Sequence, residues 1–310
     1  MVNGFLVVGD ATLDVIVRGG APDAGADQPA QITVGPGGQG ANVAVRLARA
    51  GNEVTLLCAV ADDEAGHVLR SALAEDGVSL LAAPAPHTGL VVALIDATGD
   101  RSMLSDRVSI DARVLAGPEG ATALRAADWL HVSGYPLADQ LHGPALAAAA
   151  GARAPEQRCS VGGGSFDGIH PRSAALVALL RDARPDLLHV DRREAESIVG
   201  RHADGRERAD TLAARLAASV GAAVVVTDGA TGAAAATEAG SVWVDAITGL
   251  SADATGAWDA HAAALLTFLA SRPWPPDLAT LREALEIAGP RGADAARVVG
   301  AQARTAGEIG

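Results

Sequence analysis

Short apolar runs alternate with longer helical stretches along most of this 310-residue chain. The first run, "FLVVGD" (5–10), ends at Gly-Asp, which is typical of a buried strand whose carboxyl end faces a site. Further strand-like runs are "EVTLLCAV", "WLHVS", "RCSV", "DLLHV" and "AAVVVTDG". Helices are expected near 41–51, 64–76, 137–150, 172–182, 192–199, 206–219, 256–270, 278–288 and 291–303. This alternation predicts an α/β fold with a mostly parallel sheet covered on both faces, in which ligands bind beyond the carboxyl ends of the strands.

Two segments depart from this pattern. Residues 12–34 hold the strand-like pieces "LDVIVRGG" and "QPAQITV" around a connection rich in Gly, Pro and Asp. The stretch "GLVVALIDATGDRSML" (89–104) predicts two strands around a turn at "ATGD". We expect these segments to form a small sheet that projects from one main domain. Its uncovered face is a candidate homodimer surface, because exposed apolar sheet faces are stabilised by a partner.

Composition narrows the function classes. A net charge of −13 and a pI near 5.0 disfavour nucleic acid and anionic membranes as partners. All 24 basic residues are Arg, which excludes a Schiff-base mechanism and the lysine of a Walker-type phosphate loop. No apolar run approaches the roughly 20 residues of a membrane span, and the amino terminus lacks the pattern of a signal peptide. Cys58 and Cys159 are expected to be buried thiols of a cytoplasmic protein.

The densest glycine cluster, "VGPGGQGANVAV" (34–45), leads directly into a helix. Glycines allow the backbone to approach a ligand, and Asn42 in the first helical turn can hydrogen-bond a hydroxyl. A plain turn is one alternative interpretation. Another is a dinucleotide site, because Gly35, Gly37 and Gly40 fit G-x-G-x-x-G and Asp62 lies about 20 residues on. However, the first strand of the sheet is "FLVVGD", and the glycines do not follow it directly.

A second stretch, "DATGAWD" (253–259), predicts a helix that begins at about Gly256. The start of a helix presents unpaired N–H groups and a positive dipole end, which suit a phosphoryl group in transfer. Asp259, one turn in, could accept a proton from a substrate hydroxyl. Asp253 and Thr255 could bind a cation or cap the helix.

Together these stretches resemble the ribokinase-like (PfkB-type) carbohydrate kinase family. That family has a Gly-Gly-x-x-x-Asn element near the amino terminus and a D-T-x-G-A-G-D element near the carboxyl terminus, and the likeness spans nearly the whole chain. The resemblance implies a three-layer α/β/α ribokinase-like fold with a mostly parallel central sheet and a small β-sheet lid. It implies one kinase domain over 1–310, with the lid formed by about 12–34 and 88–108.

The resemblance also implies roles for individual residues. Asp259 would be the catalytic base, and the backbone around Gly256, Ala257 and Trp258 would form the anion hole. The substrate-binding residues implied are Asp14, Gly37, Gly38 and Asn42. The residues near the nucleotide are Asp191, Glu194, Thr227, Gly229 and Gly232. Expected cofactors are ATP, Mg²⁺ held by Glu194 through water, and a candidate K⁺ near Asp253 and Thr255.

The chain departs from the family pattern on the phosphate side. Trp258 replaces a glycine beside Asp259, and its indole is expected to project toward the anion site unless it turns outward. Asp191 replaces the usual Asn, and Gly162 stands where relatives tend to have Asp. His261 is expected to have a packing or surface role.

Three hypotheses follow from these patterns. The first is an ATP-dependent kinase for a small sugar or nucleoside. The second is a catalytically inactive descendant that binds such a molecule as a sensor or partner protein. The third is an NAD-dependent oxidoreductase.

Overall fold

The computed structural model describes residues 3–20, 24–96, 101–164, 173–200, 208–247, 255–298 and 300–305. The strands, in chain order, are β1 (Gly4–Val8), β2 (Thr12–Arg18), β3 (Gln31–Gly37), β4 (Glu53–Ala59), β5 (Ser79–Ala83), β6 (Gly89–Ile95), β7 (Arg101–Asp106), β8 (Trp129–Ser133), β9 (Arg158–Gly162), β10 (Leu187–Asp191), β11 (Ala223–Thr227), β12 (Gly232–Thr237) and β13 (Gly240–Asp245). The helices are α1 (Gln39–Arg49), α2 (Glu64–Glu75), α3 (Arg113–Ala116), α4 (Pro118–Ala126), α5 (Gly134–Leu137), α6 (Gly143–Gly151), α7 (Ser173–Ala183), α8 (Arg192–Val199), α9 (Ala209–Val220), α10 (Ala257–Ala270) and α11 (Leu278–Ala295).

The large sheet has the strand order β13-β12-β11-β10-β9-β8-β1-β4-β5. All its pairs from β11 to β5 are parallel, and β12 and β13 complete it as an antiparallel hairpin. The carboxyl ends of the parallel strands therefore meet along one edge. The prediction of a mostly parallel α/β sheet is confirmed.

Helices cover both faces of this sheet. One buried cluster joins α1, α2, α10 and α11 to the sheet, through residues such as Leu47, Leu69 and Leu266. The other joins α6 to α9 to the opposite face, through residues such as Leu146 and Leu212. The result is a three-layer α/β/α arrangement. Cys58 and Cys159 are buried free thiols in these two clusters, as expected.

A separate four-stranded sheet has the order β3-β2-β6-β7. Its strands come from the two segments that departed from the main pattern, as predicted. Residues directly opposite each other share a face, so the register places Asp14, Val91 and Ser105 on one face and Val15, Val92 on the other. Val91 is 2% exposed, whereas the opposite face carries the exposed apolar residues Ile32, Val34, Leu90 and Leu104.

Three predicted helical stretches were placed wrongly. In the stretch 137–150, α5 ends at Leu137 and α6 begins only at Gly143, with Pro144 in its first turn. The stretches 278–288 and 291–303 were predicted as separate helices, but α11 continues through Pro290 to Ala295. Its buried face carries Leu285, Ala288 and Ala295 past the proline. We infer that this packing outweighs the proline's cost of about 3 kcal/mol.

Among the described residues, no helix is both long enough and apolar enough to cross a bilayer.

Candidate functional site

The glycine cluster ends where β3 of the small sheet meets the start of α1. Gly38 is the N-cap residue of α1, with a φ of 92°. The Asn42 N–H donates to the Gly38 carbonyl at 2.9 Å, and the Ala41 N–H donates to the Asp10 carbonyl at 3.0 Å. Asp10 lies just beyond the carboxyl end of β1, and its carboxylate accepts from the Gly40 N–H at 3.3 Å. This turn fixes Asn42 at the edge of the large sheet.

Asp259 and Asn42 meet at this edge, although 217 residues separate them in the chain. The Asn42 Nδ2 donates to the Asp259 Oδ2 at 2.8 Å, and both side chains are buried. Burial raises the pKa of Asp259 to about 7, and the negative charges of Asp10 and Asp14 act in the same direction. The Asn42 hydrogen bond and the positive charge of Arg46 oppose this rise. A carboxylate whose pKa lies near neutrality suits general-base chemistry.

The carboxyl-terminal segment braces the same cluster. The Gln302 Nε2 donates to the Asn42 Oδ1 at 3.0 Å, so the Asn42 amide is held from both ends. The Arg46 guanidinium donates to the carbonyls of Ala301 and Ala303 at 2.8 and 3.0 Å. Nothing in the local sequence pattern of residues 301–303 indicated this contact.

Asp14 lies on the buried face of the small sheet. Its Oδ1 accepts a hydrogen bond from the Thr12 hydroxyl at 2.7 Å. A Cβ atom on Gly37 would lie 2.2 Å from the Asp14 carboxylate, so this glycine leaves room for the Asp14 side chain. Because Asp14 also contributes to the pKa shift of Asp259, the structure brings Asp14, Gly37, Gly38, Asn42 and Asp259 to one place.

Arg107 completes this group from the far end of β7. Its Nη1 donates to the Asp10 Oδ2, and its guanidinium lies 3.9 Å from the centre of the Tyr135 ring. The Arg107 side chain is 22% exposed and that of Asp10 is 8% exposed. Neither residue was predicted to be functional from the sequence, although Asp10 lies at the carboxyl end of the first predicted strand. We call Asp10, Asp14, Asn42, Arg107 and Asp259 the Asp259 cluster.

Trp258 turns toward the large sheet. Its ring stacks on His189 of β10, with centroids 4.5 Å apart and an interplanar angle of 24°. A Cβ on Gly163, just after β9, would lie 2.5 Å from the indole and 2.3 Å from the Gln39 amide. The glycine at 163 leaves room for the ring against the sheet. The Trp258 Nε1 is buried and has no hydrogen-bond partner among the described residues.

Buried histidines surround this stack. His189 also contacts His261 of α10, with ring centroids 5.1 Å apart, so the packing role expected for His261 is confirmed. His131 of β8 makes a 2.8 Å hydrogen bond with the Ser160 hydroxyl. Burial lowers the pKa of His131 and of His261 to about 4, and it lowers the pKa of His189 well below its usual value. All three imidazoles are therefore neutral at pH 7.

Asp191 and Glu194 form a capping box at the start of α8. The Asp191 Oδ1 accepts from the Glu194 N–H at 2.8 Å, and the Glu194 Oε2 accepts from the Asp191 N–H at 2.7 Å. Asp and Asn cap helices equally well, which explains how Asp191 can replace Asn without loss of local structure. The Arg192 guanidinium lies within 3.5 Å of the Asp228 carboxylate and adds positive charge beside Asp191.

Thr227 lies directly opposite Asp191 at the end of the neighbouring strand β11. Gly229 follows in a short 3₁₀ turn and has open space where a side chain would project. Gly232 begins β12, and a Cβ there would lie 2.3 Å from the Val244 carbonyl, so packing alone requires this glycine. We call Asp191, Glu194, Thr227, Gly229 and Gly232 the β10–β12 edge.

The start of α10 lies between the two groups. Gly256 is its N-cap residue and Ala257 its first helical residue. The first amides of a helix have no intrahelical acceptor, so those near 257–259 can bind an anion. Thr255 precedes them, whereas Asp253 lies outside the described residues.

The geometry contradicts the dinucleotide alternative. Gly35 and Gly37 belong to β3 of the small sheet and do not form the turn between the first parallel strand and its helix. A pyrophosphate site of that kind requires the glycines in the first strand-to-helix turn of the parallel sheet.

Comparisons with known proteins bear on the family and the fold of this chain. The model of the pfkB family carbohydrate kinases matches residues 3–306. A fructokinase from Klebsiella pneumoniae is 30% identical over 310 residues, which cover 96% of this chain and 95% of that protein. The crystal structure of adenosine kinase from Sinorhizobium meliloti has a TM-score of 0.81 at 20% identity and covers 100% of this chain and 98% of that one. Aminoimidazole riboside kinase from Salmonella enterica, crystallised with aminoimidazole riboside and an ATP analogue, has a TM-score of 0.74 at 23% identity and covers 97% and 95%.

Proposed function

Because this chain belongs to the pfkB family of carbohydrate kinases and is therefore a phosphotransferase, we propose that it transfers a phosphoryl group from ATP to a hydroxyl of a small sugar or nucleoside. The observation that carries this proposal is the buried Asp259 carboxylate, whose pKa of about 7 accompanies its hydrogen bond to Asn42. The names of the relatives, fructokinase and aminoimidazole riboside kinase, support this range of substrates.

Asp259 acts as the general base in this proposal. Its ionised form accepts the proton of the acceptor hydroxyl as that oxygen attacks the phosphoryl group. Asn42 donates to the Asp259 Oδ2 and so directs the carboxylate while favouring its charged form. The free enzyme should therefore gain activity as the pH rises through about 7, because burial holds the base protonated below that pH.

The acceptor molecule would bind between the two sheets. Asp14 offers carboxylate oxygens to substrate hydroxyls, and the backbone at Gly37 and Gly38 allows a sugar to approach closely. Asn42 contributes at the floor of the same site. The small sheet, formed by residues 12–34 and 88–108 within the single domain, would act as a lid over the site. It would exclude water that competes with the acceptor.

The start of α10 would stabilise the charge of the transferred group. Backbone amides at Gly256, Ala257, Trp258 and Asp259 are the proposed donors, supported by their position at a helix amino terminus. A tryptophan at position 258 in place of glycine leaves the backbone N–H of that residue available as a donor. The indole stacks on His189, and we propose that phosphoryl transfer takes place with the ring in this position.

The β10–β12 edge fits the nucleotide. Thr227, Gly229 and Gly232 would line the nucleotide, and the open space at Gly229 supports close backbone approach. Carboxylate oxygens are the ligands that Mg²⁺ prefers, and it is commonly held by one or two carboxylates plus substrate phosphates. Asp191 and Glu194 would hold Mg²⁺, with Glu194 acting through water, and the ion would screen phosphate charge. K⁺ near Asp253 and Thr255 is a further proposal.

We also propose that the chain forms a homodimer through the small sheet, in the cytoplasm. Exposed Ile32, Val34, Leu90 and Leu104 share one face of that sheet with half-buried Val15. The same apolar face on a second copy would bury this surface in a self-complementary contact. Leu104→Asp should shift the sedimentation coefficient to that of a monomer. An unchanged coefficient, or a monomeric wild type, would contradict the proposed dimer.

A coupled assay on a panel of sugars and nucleosides tests the kinase proposal. We expect wild-type turnover with ATP and Mg²⁺, reduced about 10³-fold in Asp259→Asn because the base is lost. Folding of the variant is checked by thermal unfolding at pH 8. The variant should be more stable there, since it no longer buries the charge that its raised pKa shows to be unfavourable.

Trp258 supports one alternative, a catalytically inactive protein that binds the sugar or nucleoside as a sensor. Its indole lies in the first turn of the helix whose amides would receive the phosphoryl group. Under this alternative the wild type shows no turnover on the panel, while Trp258→Gly restores it. Turnover in the wild type that Asp259→Asn abolishes rules the alternative out.

A further inference from the structure

The Arg107–Asp10 ion pair links the small sheet to the base. Arg107 directly follows β7, at the edge of the small sheet, and Asp10 lies two residues after β1, an interior strand of the large sheet. Their hydrogen bond joins residues 97 positions apart. The Arg107 guanidinium is also stacked over Tyr135 at 3.9 Å, so it lies against the large domain on two sides.

A continuous set of contacts leads from Asp10 to Asp259. The Asp10 carboxylate accepts from the Gly40 N–H, and its carbonyl accepts from the Ala41 N–H, which together fix the first turn of α1. That turn carries Asn42, whose amide donates to Asp259. Each contact in this path involves buried or half-buried groups, where hydrogen bonds are well protected from water.

The same residues act on Asp259 through charge. The groups that face its carboxylate are Asn42 and Arg46 of α1, Asp10 after β1 and Asp14 of β2. Burial is the main cause of its raised pKa, and the negative charge of Asp10 adds to it. Asp10 forms an ion pair with Arg107, which directly follows β7 of the small sheet. Without Arg107, its full negative charge would act on the base.

We propose that Arg107 and Asp10 are positioning residues for phosphoryl transfer, through which the docked small sheet sets Asp259 in its ionised, correctly oriented form. This inference rests on the proposed role of Asp259 as the base. With the small sheet docked, Arg107 offsets the charge of Asp10 and Asp259 is ready to accept a proton. With the sheet displaced, Asp10 opposes ionisation of Asp259, which limits wasteful transfer to water.

The test combines pH profiles with a double-mutant cycle. Arg107→Gln should move the acidic limb of kcat/KM upward by about one pH unit, because an unpaired carboxylate then faces the base. This corresponds to an activity at pH 7 that is about fivefold lower. Arg107→Lys, which keeps the charge, should retain the wild-type limb. Arg113→Gln removes an exposed ion pair with Asp111 and serves as the matched control, with no shift expected.

The cycle separates charge from general damage. Asp10→Asn can still accept from the Gly40 N–H, and it should move the acidic limb to lower pH. Adding Arg107→Gln to Asp10→Asn should then return the limb to about its wild-type position, because neither charge acts on the base any longer. A double variant whose limb stays as high as that of Arg107→Gln, or no shift in Arg107→Gln alone, would overturn the proposal.

A second readout does not depend on turnover. Carbon-13 labelling of aspartate carboxyl groups allows the Asp259 resonance to be titrated by NMR, with Asp259→Asn used for its assignment. Arg107→Gln should raise the titration midpoint by about the same one unit. If the wild type has no kinase activity, the proposed function fails and this midpoint still decides the coupling. An unchanged midpoint rejects the coupling even in an active enzyme.

Discussion

Polar groups are held in place differently in the Asp259 cluster and at the β10–β12 edge. In the Asp259 cluster, side chains from distant parts of the chain contact one another, as Asn42 does Asp259 and Arg107 does Asp10. At the β10–β12 edge, the carboxylates of Asp191 and Glu194 bond to the backbone of their own helix start. The first group is organised by tertiary contacts and the second by local ones.

Under the proposed function, this difference has a functional consequence. A base must be held in one orientation and kept from water, so its surroundings have to be built by the protein itself. Phosphate and Mg²⁺ bring their own charges, so a site for them needs only a local frame with suitable oxygens and amides. β1 and β10 are separated by β8 and β9, which places the two groups about 14 Å apart at ordinary strand spacing.

The largest expected effect tests the tertiary side of the comparison. The Asn42 amide orients Asp259 and lowers the pKa of its carboxyl group, and Asn42→Ala removes that amide. We therefore expect kcat/KM to fall about 100-fold and the acidic limb of its pH profile to move to higher pH. Asn52→Ala is the matched control, because the Asn52 amide bonds to the Leu47 carbonyl and to Thr267 away from the site. Equal losses in both variants would show that Asn42 only stabilises α1.

Next comes the packing between the two groups. Gly163→Ala would place a methyl group against the Trp258 ring and the Gln39 amide, and it also strains a backbone with a φ of 69°. Gly221→Ala isolates the backbone strain, since its φ of 72° is similar and nothing lies within 4 Å of the added carbon. We expect Gly163→Ala to lower the free energy of unfolding by about 2 kcal/mol more than Gly221→Ala. Urea denaturation measures both values, and equal losses would mean that the Trp258 pocket can expand freely.

A smaller effect is expected at the β10–β12 edge. Glu194→Gln keeps an oxygen that can accept from the Asp191 N–H, so the capping box survives while the charge is removed. The Mg²⁺ concentration for half-maximal activity should rise about tenfold, with little change in Tm. A large fall in Tm with unchanged Mg²⁺ dependence would make Glu194 a structural residue only.

The smallest expected effect concerns the buried histidines. Burial holds the pKa of His261 at about 4, below its unfolded value of 6.5, so its stabilising contribution is complete above pH 6.5 and is lost as the pH falls below that value. In His261→Gln, the loss of unfolding free energy between pH 7.5 and 5.5 should be about 1 kcal/mol smaller than in the wild type. Asp259 has the opposite pH dependence, but it is present in both proteins, so its contribution cancels when their losses are compared. Identical losses would mean that the pKa of His261 is the same in the folded and unfolded states.

Most of the fold could be predicted from the sequence, because strand and helix periods are local properties. The runs that end near Asp10, Asp191 and Thr227 were correctly predicted to be strands of a parallel sheet, whose carboxyl ends form one edge. The motif residues Asn42 and Asp259 were also identified, and their 2.8 Å contact brings together the two motifs on which the resemblance rests. Pro290 was misjudged, since its local cost was outweighed by burial of the same helix face.

The sequence by itself determined the periods, the strand ends and the candidate chemistry of this protein. Only the tertiary structure decided that Arg107 pairs with Asp10, that Gln302 braces Asn42 and that Trp258 stacks on His189. Local patterns encode backbone conformation because it depends on near neighbours in the chain. Contacts across 97 or 260 residues depend on how whole layers pack, and no local pattern records that.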